Sequence, residues 1–581
     1  MAIDSPARRL LCDEEATSKI DAGVAVVAKY VGMTMGPKGW NVAIRLDGVG
    51  EGKIVNTKDG VFVAQHIKLP DPEEDIGAQM AVQASQKTND AAGDGTTATV
   101  VLLDAMLQEA RKHVKMKSNS IRIQEGMQRE TELIVEFLRK ISNPIEKERE
   151  LYDVALVSCQ DKDIAKKISD IILKVGKFGT VGVQAMTGPL NIDLRVENGM
   201  FFEIGFEARL THMSSASVMG QLQKKGSVQK LSWENDNVGV LIFDEPVRQW
   251  NDVAHIFSAC VSADRRKLLI IGDNHDDAAA GLQAQMMNQI FSAVTINRAN
   301  FGGDLGREIL KDIAVFCGAQ FLSPLDGTMP NKNQNITNID AILGTCVASV
   351  GMESFILTKG AGSQDDIDAR CALIMQTVES GSMPDYEKQK YKERIARFKA
   401  GIGTITIFAP TDVQQTSIRT RVDDAVCAVR SANEEGIVAG GGVALLRCHQ
   451  YLMGIERQAE DKDTMAGREI VRQALLCPAR KIAEMAGEEA AVRLEQLMRH
   501  PHTSTIGYNY WTEKEADLIK DGILDPTKVV RLCVENAVSV VGELLRTRAT
   551  SVPLPKDDTD EPYLTPRERA LRVHNKRAQQ G

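Results

Sequence analysis

The feature that most restricts what this chain can fold into is a change of hydrophobic period, twice along its length. From about Asp4 to Ser142 apolar residues recur at helical spacing. From about Asn198 to Gly401 short β-branched runs alternate with helical stretches, and after Pro410 the helical spacing returns and lasts to about Arg548. Thr96–His113 is the plainest helix. Val100, Leu103, Leu107 and Ala110 share one face, and Arg111, Lys112 and His113 suit the negative end of the dipole. Asn143-Pro144 marks a break, and a further helical pattern runs from Glu146 to Val175. Thr180–Val183, Val238–Phe243, Leu268–Ile271 and Ala293–Ile296 read as strands, the second despite Gly239, which has no side chain to pack. One economical reading is a multidomain α and α/β chain: a domain assembled from both chain ends with an α/β domain inserted into it.

Composition narrows the function classes. The 581 residues allow three or four domains of roughly 150 residues each. The net charge of −9 argues against a nucleic-acid partner, which would call for a concentrated basic surface. Ten cysteines without a CxxC pair make neither a disulfide framework nor a zinc ribbon, so reduced thiols in the cytoplasm are the expectation. There is no HExxH, no apolar h-region within Met1–Leu11, and no uninterrupted apolar run near the ~20 residues that span a bilayer. No membrane association is therefore expected. The last thirty or so residues, from near Pro553, are charged and read as a mobile tail.

Four glycine-rich polar segments carry the chemistry. Thr34-Met35-Gly36-Pro37-Lys38-Gly39 looks like a phosphate loop but lacks the Gly-Lys-[Ser/Thr] ending, so a plain turn competes. Thr57-Lys58-Asp59-Gly60-Val61, between apolar runs, has the form of a hairpin turn. Gly93-Asp94-Gly95-Thr96-Thr97 directly precedes the clearest helix. Free amides there can bind an anion, Asp94 can hold a hard cation, and the threonine hydroxyls can reach phosphate oxygens; an ordinary helix cap is the competing account. Glu434–Val443 places three consecutive glycines, Gly440 to Gly442, at a helix start, which either a ligand or tight packing would justify. Asp424 lies twelve residues before Gly436, beside Asp423, on what could equally be a solvated helix face.

In this order and at these separations the segments resemble the group I chaperonins. The resemblance continues through Asn89-Asp90-Ala91-Ala92, Gly507-Tyr508-Asn509 and Gly522–Val529, and it covers nearly the whole chain to about Asp557. It is strongest in the terminal parts and weak in the middle. It implies a helical equatorial domain from 1–142 and 435–552, a small intermediate domain from 143–197 and 403–434, an inserted α/β apical domain at 198–402, and a tail at 553–581. The activity implied is hydrolysis of ATP, with Mg2+ and with K+ as a further candidate cation. The partners implied are non-native proteins and further copies in one or two rings of seven, with a lid protein as a candidate.

The resemblance also assigns roles. Thr34, Met35, Gly36, Pro37 and Lys58 would line the phosphate site, with Gly95, Thr96 and Thr97 holding phosphates and Asp94 on magnesium. Asp59 and Asp424 would activate the attacking water. Gly441 would face the nucleotide, Asn509 the base and Asp525 the ribose, although Asp525 ahead of Pro526 also suits a helix N-cap. Gly199 and Gly401 would be hinges. Phe206, Leu210, Phe257, Leu282, Met286 and Met287 would face clients, against the plain alternative of a core stripe. Trp40 stands where the family usually has arginine, Ala98 where it has a third threonine, and Ser431 where it has alanine. The tail lacks Gly-Gly-Met repeats. These departures mark a divergent member, of a kind a large bacteriophage would encode. Two functions remain: an ATP-driven chaperonin, or a ring-forming structural or binding assembly with little turnover.

Overall fold

The computed structural model describes residues 8–45, 54–113, 118–176, 180–202, 204, 230–232, 237–273, 276–301, 303–332, 336–351, 355–379, 388, 390–391, 394–395, 398, 401–455 and 460–553. Phe206, Leu210 and the tail from 554 lie outside these residues. The chain divides into two compact units, Met1–Gln160 with Cys427–Gly581, and Asp161–Val426.

The first unit is built from both chain ends. Strand Arg8–Cys12 pairs antiparallel with Ala549–Pro553, so the ends of the unit are tied by backbone hydrogen bonds. Its core is helical. Ile20, Val24, Leu102, Leu103, Met106, Ile134, Leu138, Val534 and Val541 are buried together. Two helix pairs approach unusually closely because glycines face each other's backbone. A Cβ on Gly23 would lie 1.8 Å from the Glu74 carbonyl oxygen, and one on Gly77 would lie 1.9 Å from that of Ile20. Gly126 and Gly467 do the same for helices Ser120–Ile141 and Lys462–Ala474. Asn143, at the expected break, exchanges two backbone hydrogen bonds with Ile437 (2.9 and 2.8 Å).

The second unit is organised by a ten-stranded mixed sheet. Val238–Phe243, Lys267–Ile271 and Ser292–Ile296 run parallel at one end. Their residues alternate between two cores. Val240, Ile242, Leu269 and Val294 face one, and Leu241, Phe243, Leu268 and Ile270 face the other. Burial on both faces is why these strands read as continuous apolar runs rather than alternating ones. The expected divisions at 197/198 and 402/403 fall inside the paired strands Asn191–Phe202 and Gly401–Ala409. Gly401 pairs with Asn198, and Gly199 pairs with Thr358. Gly199 is extended and not left-handed; what excludes a side chain there is packing, since a Cβ would lie 2.4 Å from the Leu357 carbonyl oxygen.

Several expectations are corrected. Phe257, Leu282 and Met286 are core residues, not a client-facing surface: they are 4%, 3% and 1% exposed and pack with Val253, Ile256 and Phe291. Of the described members of that set only Met287, at 66% exposed, faces outward. The helical stripe was the inner face of an amphipathic pair of helices, Ala254–Ser262 and Asp276–Met287, lying on the sheet. Thr57–Val61 is not a hairpin turn but a strand-to-helix junction. Strand Ile54–Thr57 ends there and Asp59 caps the short helix Gly60–Gln65 through Val61 N (2.9 Å). Asp525 is not a helix cap either: it lies in strand Leu524–Pro526, and helix Thr527–Arg546 starts without a side-chain cap.

Candidate functional site

Within the first unit, four segments far apart in sequence converge at the start of helix Thr96–His113. Helix Pro72–Ala92 ends at Gly93 with φ +68°, Asp94 follows, and Gly95 at φ +82° turns the chain into the next helix. A Cβ on Gly95 would lie 2.5 Å from Val529 Cγ1 and 2.7 Å from Cys533 Sγ, so only glycine permits this path. The Cys533 thiol donates to the Gly95 carbonyl (3.1 Å) and holds the turn from behind.

The other segments close on that helix start. Thr34 Oγ1 donates to the Val31 carbonyl (2.8 Å) and lies 3.4 Å from Thr97 Oγ1. The loop after it is closed by Gly39 N to Gly36 O (3.2 Å) and Trp40 N to Met33 O (2.7 Å). Gly60 abuts the same threonines; a Cβ there would lie 2.3 Å from Thr97 Oγ1 and 3.2 Å from Thr96 Oγ1. On the far side, strand Ile437–Ala439 pairs with Leu524–Pro526 and leads into Gly440, where a Cβ would lie 2.9 Å from Asp525 Oδ1. Gly441, at φ +64°, has open space before it: the nearest atom to a Cβ, Leu518 Cδ1, is 3.9 Å away.

The electrostatics follow from three carboxylates sharing a cleft. Desolvation raises Asp59, opposed by the amides it accepts. Desolvation, with the charge of Asp59 added, pushes Asp94 up to about 6. Desolvation and the charge of Asp94 push Asp525 up to about 7. The Lys58 ammonium is lowered by desolvation and, among the described residues, reaches only Gln160 Oε1, at 3.5 Å. At neutral pH this is a concentration of negative charge beside the positive end of a helix. A cation offsets the former and an anion suits the latter. One oxygen of Asp94 accepts from Gly95 N; the other accepts no hydrogen bond among the described residues. Among those residues no three His, Cys, Asp or Glu side chains are grouped to hold a metal alone. A cation here would need phosphate oxygens and water to complete its shell, which is the habit of magnesium.

The sequence model of the TCP-1/cpn60 chaperonin family matches residues 27–550. The chain belongs to this family. Its fold is similar to that of chaperonin gp146 from bacteriophage EL 2 (Pseudomonas aeruginosa), solved in the presence of ATP-BeFx in two crystal forms. Form II matches at TM-score 0.71 and 19% identity, covering 94% of this chain and 99% of that one. Form I matches at TM-score 0.66 and 18% identity, with the same coverage.

The chaperonin thus brings together Thr34, Gly36, Asp59, Asp94, Gly95, Thr96, Thr97, Gly441 and Asp525 in one unit. Asp424 belongs to the second unit, beside Asp423, whose carboxyl desolvation pushes up to about 6 despite Arg419. Asn509 is 6% exposed and spends its amide locally, accepting from Trp511 N (3.0 Å) and Thr512 N (3.3 Å) and donating to Asp521 Oδ2 (2.9 Å). Ser431 has a use in this chaperonin: its hydroxyl donates to the Ala92 carbonyl (3.2 Å), fastening its helix behind Gly93. Gly60, Gly440 and Cys533 escaped the sequence reading as site residues. The signal for Cys533 was its spacing of four from Val529, which puts both on one face of a helix.

Proposed function

We propose that this chain is a group I chaperonin subunit that binds and hydrolyses ATP, assembles into rings and helps non-native proteins fold. The observation that carries the reading is the convergence of Thr34, Gly60, Asp94–Thr97 and Gly440–Asp525 on one helix start, with acidic groups on one side and free amides on the other. The group I assignment rests on the Thr57–Val61 and Glu434–Val443 segments.

In this reading Gly95 lines the phosphate site, and the amides of Thr96 and Thr97 with the hydroxyls of Thr34, Thr96 and Thr97 hold the phosphates. Asp94 would hold magnesium together with phosphate oxygens, and the ion when bound would supply neutralisation of phosphate charge. Asp59 and Asp424 accept hydrogen bonds from a water and align it with the γ-phosphorus. The water oxygen forms the new P–O bond, the bond to the ADP oxygen breaks, and a proton of the water passes to a carboxylate. The three-domain division at 197/198 and 402/403 and the hinges at Gly199 and Gly401 belong to the same proposal, as does capture of clients by the inserted domain.

The test is Mg-dependent ATP hydrolysis and suppression of aggregation of an unfolded protein, with electron micrographs of the assemblies. Wild type should form rings, hydrolyse ATP and protect the client. Asp424→Ala should keep nucleotide affinity and lose about 100-fold or more in hydrolysis, the scale of a lost general base. Hydrolysis by Asp424→Ala at the wild-type rate would refute the assignment. Rings without turnover would leave a structural assembly.

A further inference from the structure

Two tryptophans, Trp40 and Trp511, are each 68% exposed near the candidate nucleotide cleft. They are set differently. Trp40 follows the loop whose closure it completes through its amide. Trp511 sits in the turn of the hairpin formed by Ile506–Asn509 and Lys514–Asp517. Asn509, the residue the resemblance gives to the base, holds that turn by accepting from Trp511 N and Thr512 N. The hairpin is anchored from below by buried Arg447, which donates to the carbonyls of Ser504 (3.0 Å) and Ile506 (2.7 Å).

The hairpin also touches two of the segments that form the cleft. At one end Gly507 packs on Leu518 and Val443, and Leu518 faces Gly441. Ile523 N donates to Leu518 O (2.8 Å) and Gly440 N to Ile523 O (2.9 Å), which ties this end to the Asp525 strand. At the other end Tyr510 packs with Ile482, Ala483 and Met35, and Glu513 pairs with Lys38 of the phosphate loop (2.9 Å). Trp511 lies in the turn beside the second of these anchors, between Tyr510 and Glu513, which reach Met35 and Lys38 of the phosphate loop. Its backbone is fixed, while its indole makes no ring contact or hydrogen bond among the described residues.

A large flat ring on a fixed backbone, exposed beside a nucleotide cleft, is what a base needs for stacking at little entropic cost. The geometry points to Trp511 as the platform on which the base of the bound nucleotide stacks. This rests on the nucleotide reading of the cleft. It replaces a polar reading of the base by Asn509 with an apolar face, which tolerates any purine.

Calorimetric titration of the full chain with Mg-ATP and with magnesium tripolyphosphate, which has phosphates but no base, tests it. Trp511→Ala should weaken ATP about tenfold, within the range for loss of one base–aromatic stack, and leave tripolyphosphate affinity unchanged. Trp511→Phe should recover most of the ATP affinity. Unchanged ATP affinity in Trp511→Ala overturns the proposal, and so does equal loss for both ligands, which would mark a structural role. Binding of neither ligand by wild type would instead sink the nucleotide reading, and this proposal with it.

Discussion

Replacing Asp94 by asparagine should stabilise the nucleotide-free chain at neutral pH while weakening Mg-ATP binding. Folding raises the Asp94 carboxyl from 3.8 to about 6. At ~1.4 kcal/mol per pH unit, holding it ionised in the folded state costs about 3 kcal/mol. Below about pH 4 the carboxyl is protonated in folded and unfolded chains alike and costs nothing. Between the two pKa values the unfolded chain gives up its proton first, so stability falls as pH rises, and the loss is complete above about 6. Asparagine still offers an oxygen to Gly95 N but does not titrate. Removing the charge also relieves Asp525, which Asp94 raises. Thermal melts in EDTA at pH 7.5 should therefore place Asp94→Asn a few degrees above wild type, on the scale of roughly 2 °C or more per kcal/mol, with a gap that narrows at pH 5. Mg-ATP should raise the melting temperature of wild type and have little effect on the variant. A variant that melts at or below wild type at pH 7.5, or a gap independent of pH, would refute the reasoning.

The glycines of the cleft separate packing from ligand access. Gly95→Ala combines φ +82° with contacts of 2.5 and 2.7 Å and should cost ~2 kcal/mol or more, seen as a lower melting temperature without ligand. Gly441→Ala meets nothing closer than 3.9 Å, so it should cost only the ~1 kcal/mol of a left-handed alanine, yet reduce nucleotide affinity in titration. In the second unit, Leu282→Glu should lower the melting temperature sharply because it buries a charge among Phe257, Val253 and Phe291, whereas Met287→Glu should be tolerated. A stable Leu282→Glu that fails to capture an unfolded protein would restore the client-surface reading of that residue.

What was legible in the sequence depended on how many structures a given pattern allows. Val238–Phe243 was recognisable because six consecutive buried residues fit little except a strand covered on both faces. Thr96–His113 declared itself through its apolar period and its basic C-terminal end. Lys58-Asp59-Gly60 did not, since the residues that make a hairpin turn also end a strand and cap a helix, and only the contact of Gly60 with Thr96 and Thr97 decides between them. Phe257, Leu282 and Met286 fitted a core stripe and a client face alike, because a stripe tells that a helix has a buried face, not whether that face meets a sheet or a client. For Asp525, the Pro-Thr that follows suggested a helix start, whereas pairing with Val438 keeps it in a strand and turns its carboxylate toward Gly440. The cleft itself was visible only as separated motifs; its assembly depends on contacts hundreds of residues apart, such as Cys533 with Gly95.

The most direct test of the central claim is a structure of the assembled chain with magnesium and a non-hydrolysable ATP analogue. The account predicts phosphates against the Thr96 and Thr97 amides, the metal on Asp94, and the nucleoside between Asp525, Gly441 and the 506–517 hairpin. A nucleotide bound elsewhere, or bound in this cleft with Asp94 off the metal, would contradict it.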